Sequence, residues 1–229
     1  MTPTFRSTLS LASRNWKKSG SKSKTLSREF TRTGILFVVS APSGAGKTTL
    51  CDALRQTPDF VYSVSCTTRP PRAGEIEGED YQFISEQDFL ARVKAGDFLE
   101  HAKVHEQHYY GTLRKPLVAH LQNGVDVLID VDIQGAAAIR AFDDSIIRAA
   151  LCDVFIMPPD LDELRRRLTK RGAETPEQIE SRIVTAAREM ELWRDYRYTI
   201  ISKSMEEDLQ KFRHIMGAER YLSRRLKLT

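Results

Sequence analysis

Short apolar runs alternate with longer amphipathic stretches along most of the chain, which predicts strands and helices wound into one α/β domain. Residues 35–39, Ile-Leu-Phe-Val-Val, read as a strand, and residues 47–55 as the helix after it, ending before Thr57 and Pro58. Residues 60–65 alternate and predict a second strand, and residues 80–84 a short third. Ser85-x-x-Asp88 resembles a capping box opening a helix to about Lys94, which Gly96 stops. Residues 98–102 follow, and Tyr109, Tyr110, Gly111 and Thr112 read as a turn. The alternation then resumes with a helix at 113–122, a strand at 125–132 and a helix at 134–141. A strand at 150–157, two charged helices over about 160–194, a strand at 198–201 and a helix at 205–222 complete it. The expected architecture is a parallel sheet flanked by helices, with a core of 34–59 and 113–229. A small mixed α/β insertion at 60–112 and a helical lid at about 160–194 are added to it.

The stretch joining the first strand to the first helix carries a motif. Ala41, Pro42, Ser43, Gly44, Ala45, Gly46, Lys47, Thr48 and Thr49 fit G-x-x-x-x-G-K-[ST], with Ala41 in place of the first glycine. Gly44 and Gly46 lack a Cβ, so backbone N–H groups can turn inward around phosphate oxygens. The helix dipole points at the same anion. Lys47 would reach the β- and γ-phosphates, and the Thr48 hydroxyl would bind Mg²⁺. The strand at 125–132 ends in acid, and a period of two puts Asp130 and Asp132 on one face, opposite Val131. That is the placing of a Walker-B carboxylate, which meets the Mg²⁺ directly or through water.

Two arginine clusters add to this picture. Arg69 and Arg72 lie in a stretch where two prolines and a glycine preclude regular structure, so it reads as a charged surface loop or an anion clamp. Asp160 and Glu163 cap a helix carrying Arg165, Arg166, Arg167 and Arg171, the last two spaced i,i+4. Thr175, Pro176 and Gln178 open a second helix, which carries Arg182. The pair reads as a solvated hairpin or as a lid that neutralises transferring phosphate.

The formal charge of +4 is unevenly spread. Residues 1–33 hold eight of the 35 Lys and Arg and one of the 31 acids, so the remainder is mildly acidic. Rich in Ser, Thr and basic residues and without periodicity, 1–33 is expected to be a disordered basic tail. A transit peptide, a basic arm for RNA or anionic lipid, and a solvated extension all fit it. No apolar run approaches the roughly 18–20 residues a membrane span needs. Cys51, Cys66 and Cys152 are widely spaced and suggest neither a disulfide framework nor a zinc site, which fits a reducing compartment. His101, His105 and His108 have no accompanying ligand pattern and read as surface or groove residues.

Together these residues resemble the guanylate kinase family, nucleoside-monophosphate kinases on a P-loop sheet, over about residues 34–224. The most specific part is Ser65-x-x-x-Arg69-x-x-Arg72-x-x-Glu75, followed by Tyr81, Glu100 and Tyr110-Gly111-Thr112. The Asp130-Val131-Asp132-Ile133-Gln134-Gly135 run is equally family-like. The resemblance implies transfer of the ATP γ-phosphate to GMP or dGMP, with ATP on residues Ala41 to Thr49 and Mg²⁺ on Thr48, Asp130 and Asp132. Ser65, Arg69, Arg72, Tyr81 and Tyr110 would hold the GMP phosphate, with Glu75 orienting the arginines. Glu100, Thr112 and Asp130 would read guanine, and Lys47, Arg69, Arg167, Arg171 and Arg182 would form the catalytic set. Thr112 stands for a frequent Ser and Ala41 for a frequent Gly, and both keep the chemistry. Guanine offers N1–H and N2–H₂ donors on one edge, which a carboxylate at Glu100 would accept and adenine would leave unpaired.

The substrates alone are the expected partners, with no specific nucleic acid and no membrane. The chain is expected as a monomer or homodimer, cytoplasmic, or organellar should the tail be a transit peptide. Two other readings share the fold. One is a catalytically dead module that binds a protein in the GMP groove, which the intact loop and paired aspartates disfavour. The other is a kinase of another small phosphorylated substrate, such as a ribose bisphosphate, which Glu100 and Thr112 disfavour.

Overall fold

The computed structural model of the chain describes residues 30–104, 107–172 and 175–228, with Arg171 described by its backbone alone. Most of the expected basic tail, residues 1–29, lies outside the described residues, as does His105. Residues 30–33 are ordered, so the folded unit starts earlier than the tail at 1–33 allowed. Strand β1 (Phe30–Arg32) pairs antiparallel with the last strand, β11 (Leu226–Leu228), which sequence reading did not find. Arg32 supplies the physical reason. Its guanidinium forks onto the buried Asp126 carboxylate at 2.5 and 3.0 Å, and that carboxylate also accepts from the Ile35 N–H and from Arg220 Nε.

A strand of almost continuous apolar residues belongs in the middle of a covered sheet. β2 (Leu36–Ser40) is buried throughout. It lies between β8 (Val127–Asp130) and β9 (Leu151–Met157) in a parallel sheet of order β10-β9-β2-β8-β3, where β10 is Tyr198–Ile201 and β3 is Val61–Tyr62. Phe37 and Val39 face α1 (Lys47–Arg55) and α8 (Met205–Arg220), and the Phe37 and Phe212 rings lie 5.6 Å apart. Leu36 and Val38 face the other way, onto α3 (Arg114–Gln122), α4 (Ile133–Ala141) and α5 (Ser145–Ala150). α5 was not foreseen. Asp144 starts it by accepting from the N–H groups of Ile146 and Ile147.

The expected strand at 60–65 divides. β3 closes the edge of the main sheet, and β4 (Cys66–Thr67) starts a second sheet of order β5-β4-β7-β6. Its other strands are β5 (Gln82–Phe83), β6 (Phe98–Val104) and β7 (His108–Leu113), with α2 (Glu86–Ala95) packed on it. The turn expected at 109–112 is therefore strand. Phe89 stacks on Phe98 at 4.5 Å and on Tyr109 at 5.3 Å, and this packing holds the segment extended beside β6. β8 likewise ends sooner than expected. Asp132 lies beyond the strand as the N-cap of α4, accepting from Gly135 N–H at 2.7 Å, so Asp130 and Asp132 do not share a strand face.

The charged pair is α6 (Leu161–Arg171) and α7 (Pro176–Met190), the latter opened by a complete capping box on Thr175 and Gln178. Their apolar stripes, Leu164 and Leu168 against Ile179, Ile183 and Ala186, form a separate small core. A 3₁₀ turn (Glu191–Asp195) ends α7 before the expected Arg194. Among the described residues no helix is long and apolar enough to cross a membrane.

Candidate active site

The loop after β2 bends where its glycines allow. Gly44 and Gly46 have φ of 86° and 102°, and Gly46 is the N-cap of α1. Gly44 also lies close to α6, where an added Cβ would stand 2.7 Å from Leu168 Cδ2 and that side chain would have to shift. Ala41 packs against the apolar cluster under α1, and Ala45 N–H donates to the Pro42 carbonyl at 3.1 Å. A cavity of about 260 Å³ opens over this loop, lined by Ala41 to Thr48 and by Asp132, Ile133 and Glu189. From α7, Glu189 accepts the Ser43 N–H at 3.1 Å, and Arg182 Nη1 lies 3.4 Å from Ser43 Oγ.

A second cleft, about 170 Å³, lies between the main sheet and the small one. Its floor is where the loop meets it, with Lys47 Nζ 3.0 Å from Asp130 Oδ2. On one wall Glu100 (β6) and Thr112 (β7) are cross-strand partners, and the Thr112 hydroxyl donates to Glu100 Oε1 at 2.7 Å. Ser65 Oγ lies 3.5 Å from Thr112 Oγ1. Burial raises the Glu100 carboxyl above the ordinary carboxylate range, and Asp132 adds to the rise while the Thr112 bond opposes it.

Nearby, Arg69 is fixed by a two-pronged bond to Glu75, at 3.0 and 2.7 Å, and by Tyr110 Oη at 3.2 Å. Glu75 also accepts the Arg72 N–H at 2.7 Å, and these arginines hold its carboxyl below the ordinary range. Tyr81 stands edge-on to Tyr110 at 5.9 Å, its ring 5.5 Å from the Arg69 guanidinium carbon. Residues scattered over 65–132 in sequence thus converge on one cleft. Arg72 is exposed and is not among the residues that line it.

A third cavity, about 460 Å³, lies outside the loop between α6 and the segment joining β10 to α8. Gly46 and Thr49 line it, with Arg166, Lys170 and Lys203. Arg167 braces its wall. It donates to the Ala45 carbonyl at 2.9 Å, to Ser202 Oγ at 3.1 Å and to Glu163 at 2.7 Å. Arg166 and Arg167 together bring the Glu163 carboxyl down to about 2, so it stays ionised. Arg171 ends α6, and its side chain lies outside the described residues. Sequence reading missed Tyr62 and Arg55, which line the second cleft, and Ser202 behind the loop, and it took Glu163 as part of a cap, whereas Asp160 caps the helix and the Glu163 carboxylate binds Arg166 and Arg167. Of these, only Tyr62 had a signal, a polar-tipped aromatic on an alternating strand.

The sequence profile of the guanylate kinase family matches residues 33–219, which span both clefts and the helix pair. The chain belongs to the guanylate kinase family. A guanylate kinase from Alkalilimnicola ehrlichii is 46% identical over 190 residues, 82% of this chain and 90% of that one. One from Clostridium tetani is 38% identical over 195 residues, 85% of this chain and 90% of the relative. The crystal structure of guanylate kinase from Anaplasma phagocytophilum superposes with a TM-score of 0.67 at 33% identity, covering 86% of this chain and 92% of that one. Lys47 and Asp132 line both the loop cavity and the second cleft, and Gly44 and Gly46 line both the loop cavity and the third, so the loop borders all three.

Proposed function

We propose that this guanylate kinase transfers the γ-phosphate of ATP to GMP or dGMP in purine nucleotide metabolism, with GMP in the 170 Å³ cleft and ATP on the loop and outer cavity. The observation that carries the acceptor is the half-buried Glu100 carboxylate, held by Thr112 on one oxygen and lining the cleft where a guanine edge would supply donors. Arg69, oriented by Glu75, grips the acceptor phosphate with Arg72, Ser65, Tyr81 and Tyr110. The core is 34–59 and 113–229 together with β1 and β3, the acceptor-binding insertion the rest of 60–112 and the lid about 160–194.

Mg²⁺ fits the donor set. Thr48 and Asp132 line the loop cavity with hard oxygens, and Asp132 uses Oδ1 for its cap, leaving Oδ2. Among the described residues no three His, Cys, Asp or Glu converge, so phosphates and water would complete the shell around Thr48 and Asp132, with Asp130, whose oxygens meet Lys47 and Tyr62, acting through water. When bound, Mg²⁺ would offset charge on the donor phosphates. Lys47 and the lid arginines Arg167, Arg171 and Arg182 provide the rest, by holding the loop or by meeting phosphate. No covalent intermediate is needed, because positioning and charge stabilisation drive an in-line transfer.

The test is ADP release by purified protein with ATP, Mg²⁺ and one acceptor at a time: GMP, dGMP, AMP, UMP or ribose phosphate. GMP and dGMP should turn over far faster than the others, and chelation with EDTA should abolish turnover. Equal rates with AMP or ribose phosphate would overturn the acceptor assignment.

A further inference from the structure

Asp130 is engaged on both oxygens by side chains from different elements. Lys47 Nζ reaches Oδ2 at 3.0 Å, and the Tyr62 hydroxyl donates to Oδ1. The register explains the second bond. Tyr62 on β3 sits opposite Leu128 on β8, and Asp130 is two residues further along β8, so the two side chains are diagonal neighbours on one face of the sheet. The ring is fixed too. Its inner side packs on the apolar cluster beneath α1, and the Arg55 guanidinium carbon lies 3.6 Å from its centroid. Arg55 in turn lies 4.0 Å from Asp80 of the small sheet's connecting loop.

Packing alone does not require the hydroxyl, since a phenyl ring would fill the same space. The effect of the hydroxyl falls on Asp130. A carboxylate with only Lys47 beside it can turn both oxygens onto the ammonium and hold it as a closed pair. With Oδ1 engaged by Tyr62, Lys47 meets one oxygen and keeps the remainder of its three N–H donors for other groups. Lys47 lines both the loop cavity and the acceptor cleft, so its ammonium stands within reach of groups bound in either.

We propose that Tyr62 is a positioning residue for phosphoryl transfer, its hydroxyl holding Asp130 so that Lys47 stays available at the donor–acceptor boundary. This rests on the assignment of Lys47 and Asp130 to the reaction centre. Arg55 acts one step further out, by holding the ring.

The experiment is a double-mutant cycle on the full chain with Tyr62→Phe, Asp130→Ala and the double variant, measuring kcat, both KM values and Tm. Tyr62→Phe should lower kcat about tenfold, the size of losing one hydrogen bond to a charged group, and leave KM for ATP and GMP within about twofold and the fold intact. In the Asp130→Ala background the same change should lower kcat by less than about twofold, because the hydroxyl then has no carboxylate to hold. A Tyr62→Phe enzyme with wild-type kcat, beside an impaired Asp130→Ala, would overturn the role of Tyr62. So would full multiplicative losses in the double variant, or a loss confined to KM and Tm. Wild-type turnover in Asp130→Ala itself would locate the failure in the reaction centre assignment instead.

Discussion

Replacing Glu100 by Gln changes charge and one acceptor while keeping shape, so its consequences can be worked from the contacts around it. Thr112 Oγ1 donates to Oε1 at 2.7 Å, so the introduced amide would best keep its oxygen there and turn its NH₂ towards the cleft. Guanine would then meet a donor where it offers donors. Losing one bond to a charged group removes about 1.5–3 kcal/mol, and an unpaired donor pair adds about 1–3 kcal/mol. A net loss of about 3–5 kcal/mol lowers kcat/KM for GMP by roughly 10² to several 10³. AMP gains nothing from the carboxylate, so the GMP-to-AMP ratio should collapse by a similar factor, whereas Arg72→Ala should weaken GMP and leave the ratio roughly constant. The empty protein should respond in the opposite sense. Because burial raises the Glu100 pKa in the fold, the stability linked to its proton is present below the ordinary carboxylate range and lost as pH rises through the raised value. Glu100→Gln is neutral throughout and should therefore have a higher Tm than wild type at pH 7, with the gap closing in acid. The same shift makes KM for GMP in the wild type rise with acidification already above the ordinary carboxylate range. Coupled ADP-release kinetics with both acceptors and thermal melts at two pH values test these points together. An unchanged GMP-to-AMP ratio in a folded Glu100→Gln protein would refute the reasoning.

Lys47→Ala should lower kcat by about 10²–10³ with circular dichroism unchanged, and near-normal turnover would sink the loop assignment. Gly44→Ala should cost about 1–2 kcal/mol for its φ of 86°, and more through the approach of Leu168 Cδ2. A lower Tm and a raised KM for ATP are expected, and wild-type values of both would contradict the contact. Removing residues 1–29 should leave kcat and KM for GMP within about twofold. Removing 1–32 should lower Tm further, because the buried Asp126 then loses the Arg32 fork and keeps only Arg220 and the Ile35 N–H. Identical melts for the two deletions would count against that pair.

Where local chemistry dictates structure, the sequence was legible. The all-apolar run before the loop became the buried centre of the sheet, and Thr175, Pro176 and Gln178 formed the capping box their order implies. The strand at 198–201 appears with those bounds. What depended on distant partners was not legible. Tyr109 to Thr112 looks like a turn in isolation and is held as a strand by Phe89 and β6. Asp132 looks like the end of a strand, but its side chain caps a helix instead. β11 has no pattern of its own and exists because β1 pairs with it. Within the site the loop could be read directly, and the matching acceptor residues came from family resemblance. The Tyr62–Asp130 bond needs the register of two strands more than sixty residues apart, which no local pattern encodes.

The pairing of β1 with β11 brings Phe30 beside Leu228, so the two ends of the described fold are neighbours. Arg32 of β1 binds Asp126, at the end of the sheet where β2 and β8 begin, while the phosphate loop leaves β2 at its other end. A strand of five residues spans about 17 Å, so the two ends of β2 lie about that far apart. A reporter domain, a surface tether or an affinity handle fused ahead of Phe30 therefore hangs from the side of the molecule away from nucleotide entry. Immobilised through that end, the enzyme presents its clefts outward.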